Sequence, residues 1–165
     1  MDLIHIAIVE DEPLFVGQLT EYIRRYEKDS GRRIKITTFA DGEDITDDYR
    51  GGYDIILMDI QMRFMDGMTA AEKIRTLDHE VIIMFITNMI QYAIRGYSVG
   101  ALDFVMKPVN YYTFSLKLTR AIGRIQKNGK EILLKLQDSV KKVPVDAIYY
   151  VEIQNRMLYY HTSEG

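Results

Sequence analysis

The length, composition and charge of the chain exclude several classes of protein. It has 165 residues, of which 47% are hydrophobic and 27% charged, and it has no cysteine. These values are typical of a globular domain, and they exclude a disordered chain, a collagen-like fibre, a disulfide scaffold and a thiolate metal site. The apolar runs are far shorter than the roughly 20 residues of a membrane helix, and no signal peptide is predicted, so we expect a cytoplasmic protein with no membrane partner.

The net charge of −3 is unevenly distributed along the chain. Residues 1–112 contain 19 acidic and 12 basic residues, whereas residues 113–142 contain 8 basic and 2 acidic residues. An acidic body followed by a basic connector suggests two functional parts. The basic stretch is also consistent with the solvated face of a single helix, and composition leaves both interpretations open.

Five strand–helix repeats follow one another along the chain. In chain order, the pattern predicts a strand over residues 3–9, a helix from Pro13, a strand over 34–39, a short helix from Asp41-Gly42 and a strand over 53–58. A helix from Asp66-Gly67 follows, with Ala70, Ala71, Ile74 and Leu77 on one face. The last predicted elements are a strand over 81–86, a helix over 92–99, a strand over 102–106 and a helix over 111–127. Apolar strands that alternate with amphipathic helices are typical of an α/β fold with a parallel sheet. We expect a doubly wound, flavodoxin-like sheet of five strands in the order 2-1-3-4-5.

Polar residues follow four of these strands, at the sheet edge where such folds bind ligands. Glu10 and Asp11 follow the first strand, Asp59 the third, Thr87 the fourth and Lys107 the fifth. Each of them alone is common in caps, turns and loops, but their occurrence at one edge is improbable by chance. Two carboxylates about 5 Å apart repel by roughly 3 kcal/mol at an effective dielectric constant near 20, so the cluster must take up a proton or bind a cation. Oxygen donors alone favour Mg²⁺, and an added lysine and hydroxyl suit a phosphoryl group.

Four stretches carry these residues: 8–12 (IVEDE), 56–62 (ILMDIQM) with Asp66-Gly67, 85–88 (FITN) and 100–108 (GALDFVMKP). As a set they resemble the receiver domain of bacterial two-component response regulators. The resemblance covers residues 3 to about 125, and we assign residues 1–127 to a receiver domain.

The resemblance implies a role for each site residue. Asp59 is the expected phosphoacceptor, assisted by Lys107 and Thr87 as catalytic residues. Thr87 and Phe104 are the expected switch residues, and a cis bond is expected before Pro108. The expected Mg²⁺ site consists of Asp11, Asp59 and the main-chain oxygen of Gln61, with Glu10 acting through water.

Three positions depart from the family pattern. Glu10 stands where aspartate is commoner, which is expected to shift metal affinity modestly. Arg63 stands where a proline is usual, so we expect a looser loop. Asn88 stands where alanine or glycine is common, which is expected to slow access to Asp59.

Residues 128–165 are similar to a linker and the opening of a LytTR-type DNA-binding domain, as in accessory-gene-regulator-like proteins. Residues 131–136 predict a strand, and residues 148–153 and 157–161 predict a hairpin around a turn at 154–156. We expect that the DNA-binding domain is largely missing from this chain, which is then a truncated piece. A private hairpin that packs on the receiver remains the alternative.

The resemblance implies a response regulator that is not an enzyme beyond its own phosphoryl transfer and dephosphorylation. A histidine kinase would phosphorylate Asp59 with Mg²⁺, a homodimer would form through the helix 4–strand 5–helix 5 face, and the full-length C-terminal domain would bind DNA and control transcription. One alternative is a small Mg²⁺-dependent phosphohydrolase with an aspartyl-phosphate intermediate, although Gln61 stands where such an enzyme needs an acid/base. A flavodoxin-like cofactor binder is disfavoured, because no glycine-rich loop follows the first strand.

Overall fold

The computed structural model describes residues 3–128, 131–135, 140–144 and 148–163. The chain divides into two compact units, Met1–Ala121 and Ile122–Gly165. This division precedes the domain boundary expected after residue 127, which stays a prediction.

Residues 3–128 form the predicted alternation of strands and helices. In chain order the elements are β1 (Leu3–Val9), α1 (Pro13–Ser30), β2 (Arg33–Phe39), α2 (Gly42–Thr46), β3 (Ile55–Met58), α3 (Gly67–Leu77), β4 (Ile82–Thr87), a 3₁₀ turn (Ile90–Tyr92), α4 (Ala93–Ser98), β5 (Asp103–Met106) and α5 (Tyr111–Asn128). The five strands are parallel and lie in the order β2-β1-β3-β4-β5. This confirms the predicted fold class.

The register of the sheet brings the carboxyl ends of β1, β3, β4 and β5 to within two residues of one another. Val9 of β1 lies opposite Met58 of β3, which in turn lies opposite Phe85 of β4. Thr87, the last residue of β4, lies opposite Met106 of β5. All four residues of β3 are buried, as expected for a parallel strand with helices on both faces of the sheet. Residues that immediately follow β1, β3 and β5 therefore emerge at one edge.

Helices cover the sheet through narrow apolar stripes. Their buried residues include Leu19 and Ile23 of α1, Ala70, Ala71 and Ile74 of α3, and Phe114, Leu118 and Ala121 of α5. Leu77, predicted on one face of α3 with Ala70, Ala71 and Ile74, differs from these buried residues, because its side chain is 68% exposed. Leu77 is the last residue of α3, so no further turn follows to cover it.

Several predicted boundaries need correction. The predicted helix over 92–99 is a 3₁₀ turn followed by the six residues of α4, which contains Gly96, a poor helix former. The third strand begins at Ile55 rather than at residue 53, and the fifth at Asp103 rather than at residue 102. Among the helices that the structure describes, none is long and apolar enough to cross a bilayer.

The described residues of the C-terminal unit form two antiparallel pairs of strands. The first pair is β6 (Glu131–Lys135) with β7 (Val140–Pro144), and the second is β8 (Ile148–Gln154) with β9 (Met157–Thr162). The strand predicted over 131–136 is thus observed to residue 135, and residue 136 lies outside the described residues. β7 was not predicted, because Lys141 and Lys142 interrupt its apolar pattern. Asn155 and Arg156 form the turn of the predicted hairpin with φ values of 49° and 64°, the geometry of a tight two-residue hairpin turn.

Two leucines of α1 test how much the buried stripe stabilises the fold. Leu19 is 1% exposed, whereas Leu14 on the same helix is 92% exposed. We expect Leu19→Ala to lower the free energy of unfolding by about 2–5 kcal/mol, through lost burial and the cavity left behind. Leu14→Ala should change it by less than about 0.5 kcal/mol. Urea unfolding followed by circular dichroism measures both, and equal losses would contradict the assigned packing of α1.

Candidate functional site

A cleft of about 500 Å³ opens where the strands end. It is lined by Asp11, Glu12, Asp59, Gln61, Met62, Arg63, Asn88 and Lys107. Four of the predicted site residues, Asp11, Asp59, Gln61 and Lys107, therefore share one cavity. They come from the segments after β1, β3 and β5, which the register of the sheet brings together.

Lys107 connects the ends of three strands. Its ammonium nitrogen Nζ lies 2.9 Å from Glu10 Oε2 and 3.1 Å from Asp59 Oδ2, and its side chain is only 15% exposed. Burial opposes the charged ammonium, but hydrogen bonds to Glu10 and Asp59 and the attraction of their charges outweigh it and raise the pKa of Lys107. The Lys107-Pro108 peptide bond is cis, as predicted.

Glu10 is the buried acid of the cluster. Its Oε1 accepts a hydrogen bond of 3.2 Å from the backbone N–H of Glu12, and its side chain is 1% exposed. Burial raises the pKa of Glu10 to about 7, and the charge of Asp59 adds to this shift, while the hydrogen bond from Lys107 opposes it. Glu10 thus depends on Lys107 for much of the stabilisation of its charge.

Asp59 is fixed by its position after β3. Its backbone N–H donates to the Val9 carbonyl at 3.0 Å, and its Oδ1 accepts the N–H of Ile60 at 2.7 Å. The chain then turns so tightly that the N–H of Gly67 donates to the Ile60 carbonyl at 2.7 Å. A Cβ atom on Gly67 would clash with the main-chain oxygen of Asp59, so only glycine fits there. The sequence predicted Gly67 at the start of a helix, but it gave no indication of this contact with Asp59.

The donor set at this edge fits a hard divalent cation. Within the described part of the chain, carboxylate oxygens of Glu10, Asp11 and Glu12 lie within 4.8 Å of one another, and Asp11 and Asp59 line the same cleft. All these donors are oxygens, which suits Mg²⁺ rather than a softer metal. A dication would also offset carboxylate charge that Lys107 alone does not balance. Glu12 was not among the predicted ligands.

The two predicted switch residues lie beside the cleft. Thr87 is fully buried, and its hydroxyl oxygen accepts the N–H of Met89 at 3.1 Å, so it is not part of the cleft lining. The ring of Phe104 packs 5.1 Å from that of Phe85 and directly against Gly96, where a Cβ atom would clash with the ring. Thr87 is thus the buried last residue of β4, and Phe104 of β5 is in contact with α4.

Two residues near the site were missed in the sequence. The ring of Phe15 lies 4.1 Å from Lys107 Nζ, a cation–π contact for which helical periodicity gives no signal. Asp41 is 4% exposed and accepts backbone N–H groups from Phe64 and Met65, each at 2.9 Å. Asp41 therefore holds the two residues that follow Arg63, in the loop that this arginine was expected to loosen.

Comparison with known families agrees with this geometry. Residues 6–118 match the response regulator receiver domain family. The chain belongs to this family. The prediction of a receiver domain is therefore confirmed, and its expected span of 3 to about 125 contains the matched segment.

Relatives of this receiver protein extend beyond the receiver domain. The transcriptional regulatory protein YpdB of Escherichia coli K12 is 25% identical over 171 residues, which cover 95% of this chain and 68% of YpdB. The sensory transduction protein LytT of Enterococcus faecalis is 23% identical over 173 residues, which cover 93% of this chain and 67% of LytT. Both matches include the C-terminal unit, as expected of a receiver followed by the start of a LytTR-type domain.

Solved receiver domains share the fold. The response regulatory domain of mrkE from Klebsiella pneumoniae has a TM-score of 0.67 and 26% identity, covering 74% of this chain and 98% of that domain. The receiver domain of the sensor histidine kinase PA1611 from Pseudomonas aeruginosa has a TM-score of 0.64 and 26% identity, covering 74% of this chain and 99% of that domain. The PA1611 structure holds a magnesium ion in its active-site cleft.

Two glycines test the close approach beneath Asp59. We expect Gly67→Ala to destabilise the receiver domain, because the added methyl group requires the backbone of Asp59 to move. A Cβ atom on Gly17 of α1 would meet nothing within 4 Å beyond its own helix backbone, so Gly17→Ala should stabilise the helix by about 0.5–1 kcal/mol. Thermal unfolding measures both changes. A Gly67→Ala protein as stable as the wild type would contradict the assigned contact.

Proposed function

We propose that this protein is a response regulator whose Asp59 receives a phosphoryl group from a histidine kinase. The observation that carries the proposal is the buried contact of Lys107 Nζ with both Glu10 and Asp59, beside a cleft open to solvent. A lysine that only balanced structural charge would need no cleft beside it. This one lies where it can pair with a phosphoryl group on Asp59.

The residues support an in-line transfer. A carboxylate oxygen of Asp59 attacks phosphorus, and the bond from phosphorus to the donor nitrogen breaks, with that electron pair leaving on the donor. The hydrogen bond from Ile60 to Oδ1 orients the carboxylate before attack. Lys107 stabilises charge on the phosphoryl oxygens. Mg²⁺, held by Asp11, Asp59 and the main-chain oxygen of Gln61, with Glu10 acting through water, would supply further charge neutralisation.

The proposed switch begins at Thr87. The new phosphoryl group carries a charge of about −1.5 to −2, which attracts a hydroxyl donor as well as Lys107. Movement of Thr87 toward it would break the 3.1 Å bond from Met89 N–H. Met89 immediately precedes the 3₁₀ turn and α4, and Phe104 packs against Gly96 of α4. A local change at Thr87 would then alter the surface formed by α4, β5 and α5. Phe104 would be the second switch residue to move.

The expected partners follow from this role. A histidine kinase is the phosphodonor, and the relatives named as a transcriptional regulator and a sensory transduction protein support control of transcription. The full-length C-terminal domain would bind DNA in a LytTR-type manner, in the cytoplasm. Phosphorylation would favour a homodimer through the α4–β5–α5 face, where Ile94 and Tyr97 are each 83% exposed.

Replacement of the phosphoacceptor tests the central step. We expect incubation with acetyl phosphate and Mg²⁺ to add one phosphoryl group to the intact protein, and Asp59→Asn to abolish this addition, because an amide is not a nucleophile toward phosphorus. Intact mass spectrometry measures both. Chelation of Mg²⁺ should also prevent labelling of the wild-type protein. Stoichiometric labelling of Asp59→Asn would remove Asp59 from the role, and multiple turnover of a phosphomonoester would favour a phosphohydrolase instead.

The proposed dimer surface is tested with two exposed apolar residues. We expect Tyr97→Glu on α4 to reduce dimerisation of the phosphorylated protein by about tenfold or more, because the new charges face each other or become buried across the interface. Leu77→Glu, at the 68% exposed end of α3, is the matched control and should leave dimerisation unchanged. Light scattering after size-exclusion chromatography measures the mass. Equal dimerisation of both variants would contradict the assigned face.

A further inference from the structure

Asp41 links two loops that lie apart in the sequence. It follows β2 and caps α2, where its Oδ1 accepts the N–H of Glu43 at 3.0 Å. The same oxygen accepts the N–H of Met65 at 2.9 Å, and Oδ2 accepts the N–H of Phe64 at 2.9 Å. These three bonds outweigh the effect of burial and lower the pKa of Asp41, so the carboxylate is charged at neutral pH. Hydrogen bonds to a charged acceptor are about twice as strong as those between neutral groups.

Gly42 shows how closely the two loops approach. A Cβ atom on Gly42 would lie 2.7 Å from the main-chain oxygen of Met65 and 3.3 Å from that of Asp66. The backbone of the β2–α2 connection thus packs directly on the backbone of the loop after β3. No side chain separates them, so a shift of one loop requires a shift of the other.

The loop held by Asp41 forms one wall of the cleft. Gln61, Met62 and Arg63 line the cavity, and the residues that Asp41 binds follow immediately. The base of this loop is closed by the bond from Gly67 N–H to the Ile60 carbonyl. Asp41 is not part of the cleft lining, so it touches neither the expected metal nor the phosphoryl group.

We propose that Asp41 is a positioning residue for phosphorylation of Asp59: its carboxylate holds the Arg63–Met65 segment so that Gln61 and Arg63 are presented to the cleft. This inference rests on the proposed function. The main-chain oxygen of Gln61 is an expected Mg²⁺ ligand, and groups that orient metal ligands from outside the coordination shell commonly change affinity by about 10–100-fold when replaced. An asparagine at position 41 has one acceptor oxygen, and its NH₂ group would face an N–H donor.

The test compares Asp41→Asn and Gly42→Ala with Asp78→Asn. Asp78 is a matched control, because it also accepts two backbone N–H groups, from Glu80 and Val81 at 3.0 Å each, and the Tyr49 hydroxyl at 2.8 Å, but it does not line the cleft. Three quantities are measured on the full chain: amide hydrogen exchange of residues 61–66 without metal, Mg²⁺ affinity by calorimetry, and the Mg²⁺ dependence of labelling by acetyl phosphate.

We expect Asp41→Asn to increase exchange of the 61–66 segment and to weaken Mg²⁺ binding by about tenfold, with labelling restored at saturating Mg²⁺. Gly42→Ala should act in the same direction, since it pushes the Met65 carbonyl away. Asp78→Asn should leave all three quantities at wild-type values even where it lowers stability. The inference is overturned if Asp41→Asn matches the wild type, or if Asp78→Asn weakens Mg²⁺ binding equally. Absence of labelling in the wild-type protein would overturn the proposed function as well.

Discussion

One lysine ammonium, placed between two carboxylates, organises the edge of the sheet where the cleft opens. Lys107 reaches Glu10, which follows β1, and Asp59, which follows β3, although these residues lie 97 and 48 positions away in the sequence. Without it, two poorly exposed acids would repel each other across a short gap, and Glu10 would have no cation to offset its burial. The contact also leaves the cluster with more negative than positive charge, a condition that favours entry of a cation.

This contact depends on the geometry of a parallel sheet. Because all strands run the same way and β1, β3, β4 and β5 end within two residues of one another in the register, the polar side chains at their ends emerge at one edge. Helices cover both faces of the sheet, so the edge is the place where polar groups from several strands can meet while remaining partly shielded from water. The same buried strands that supply stability therefore also position Asp59 and Lys107.

Backbone contacts set the precision of the site beyond its charged residues. Gly67 brings the start of α3 against the carbonyl of Asp59. Asp41 accepts the N–H groups of Phe64 and Met65 and so holds the loop between Asp59 and Gly67. Both contacts involve main-chain atoms and leave little freedom to the segment between them. Asp41, two residues after β2, thus binds the two residues that follow Arg63, the position at which the sequence predicts a looser loop.

The amino-acid sequence by itself determined the fold class, the strand order and four residues of the cleft, Asp11, Asp59, Gln61 and Lys107, because apolar periodicity and polar residues at strand ends are visible in the sequence. It also determined the hairpin turn at Asn155 and Arg156. Only the tertiary structure decided that Leu77 faces solvent, that β7 pairs with β6, and that Phe15, Asp41 and Gly67 support the site. Phe15 and Asp41 act through contacts with residues distant in the chain, and such contacts leave no periodic pattern in either partner's sequence.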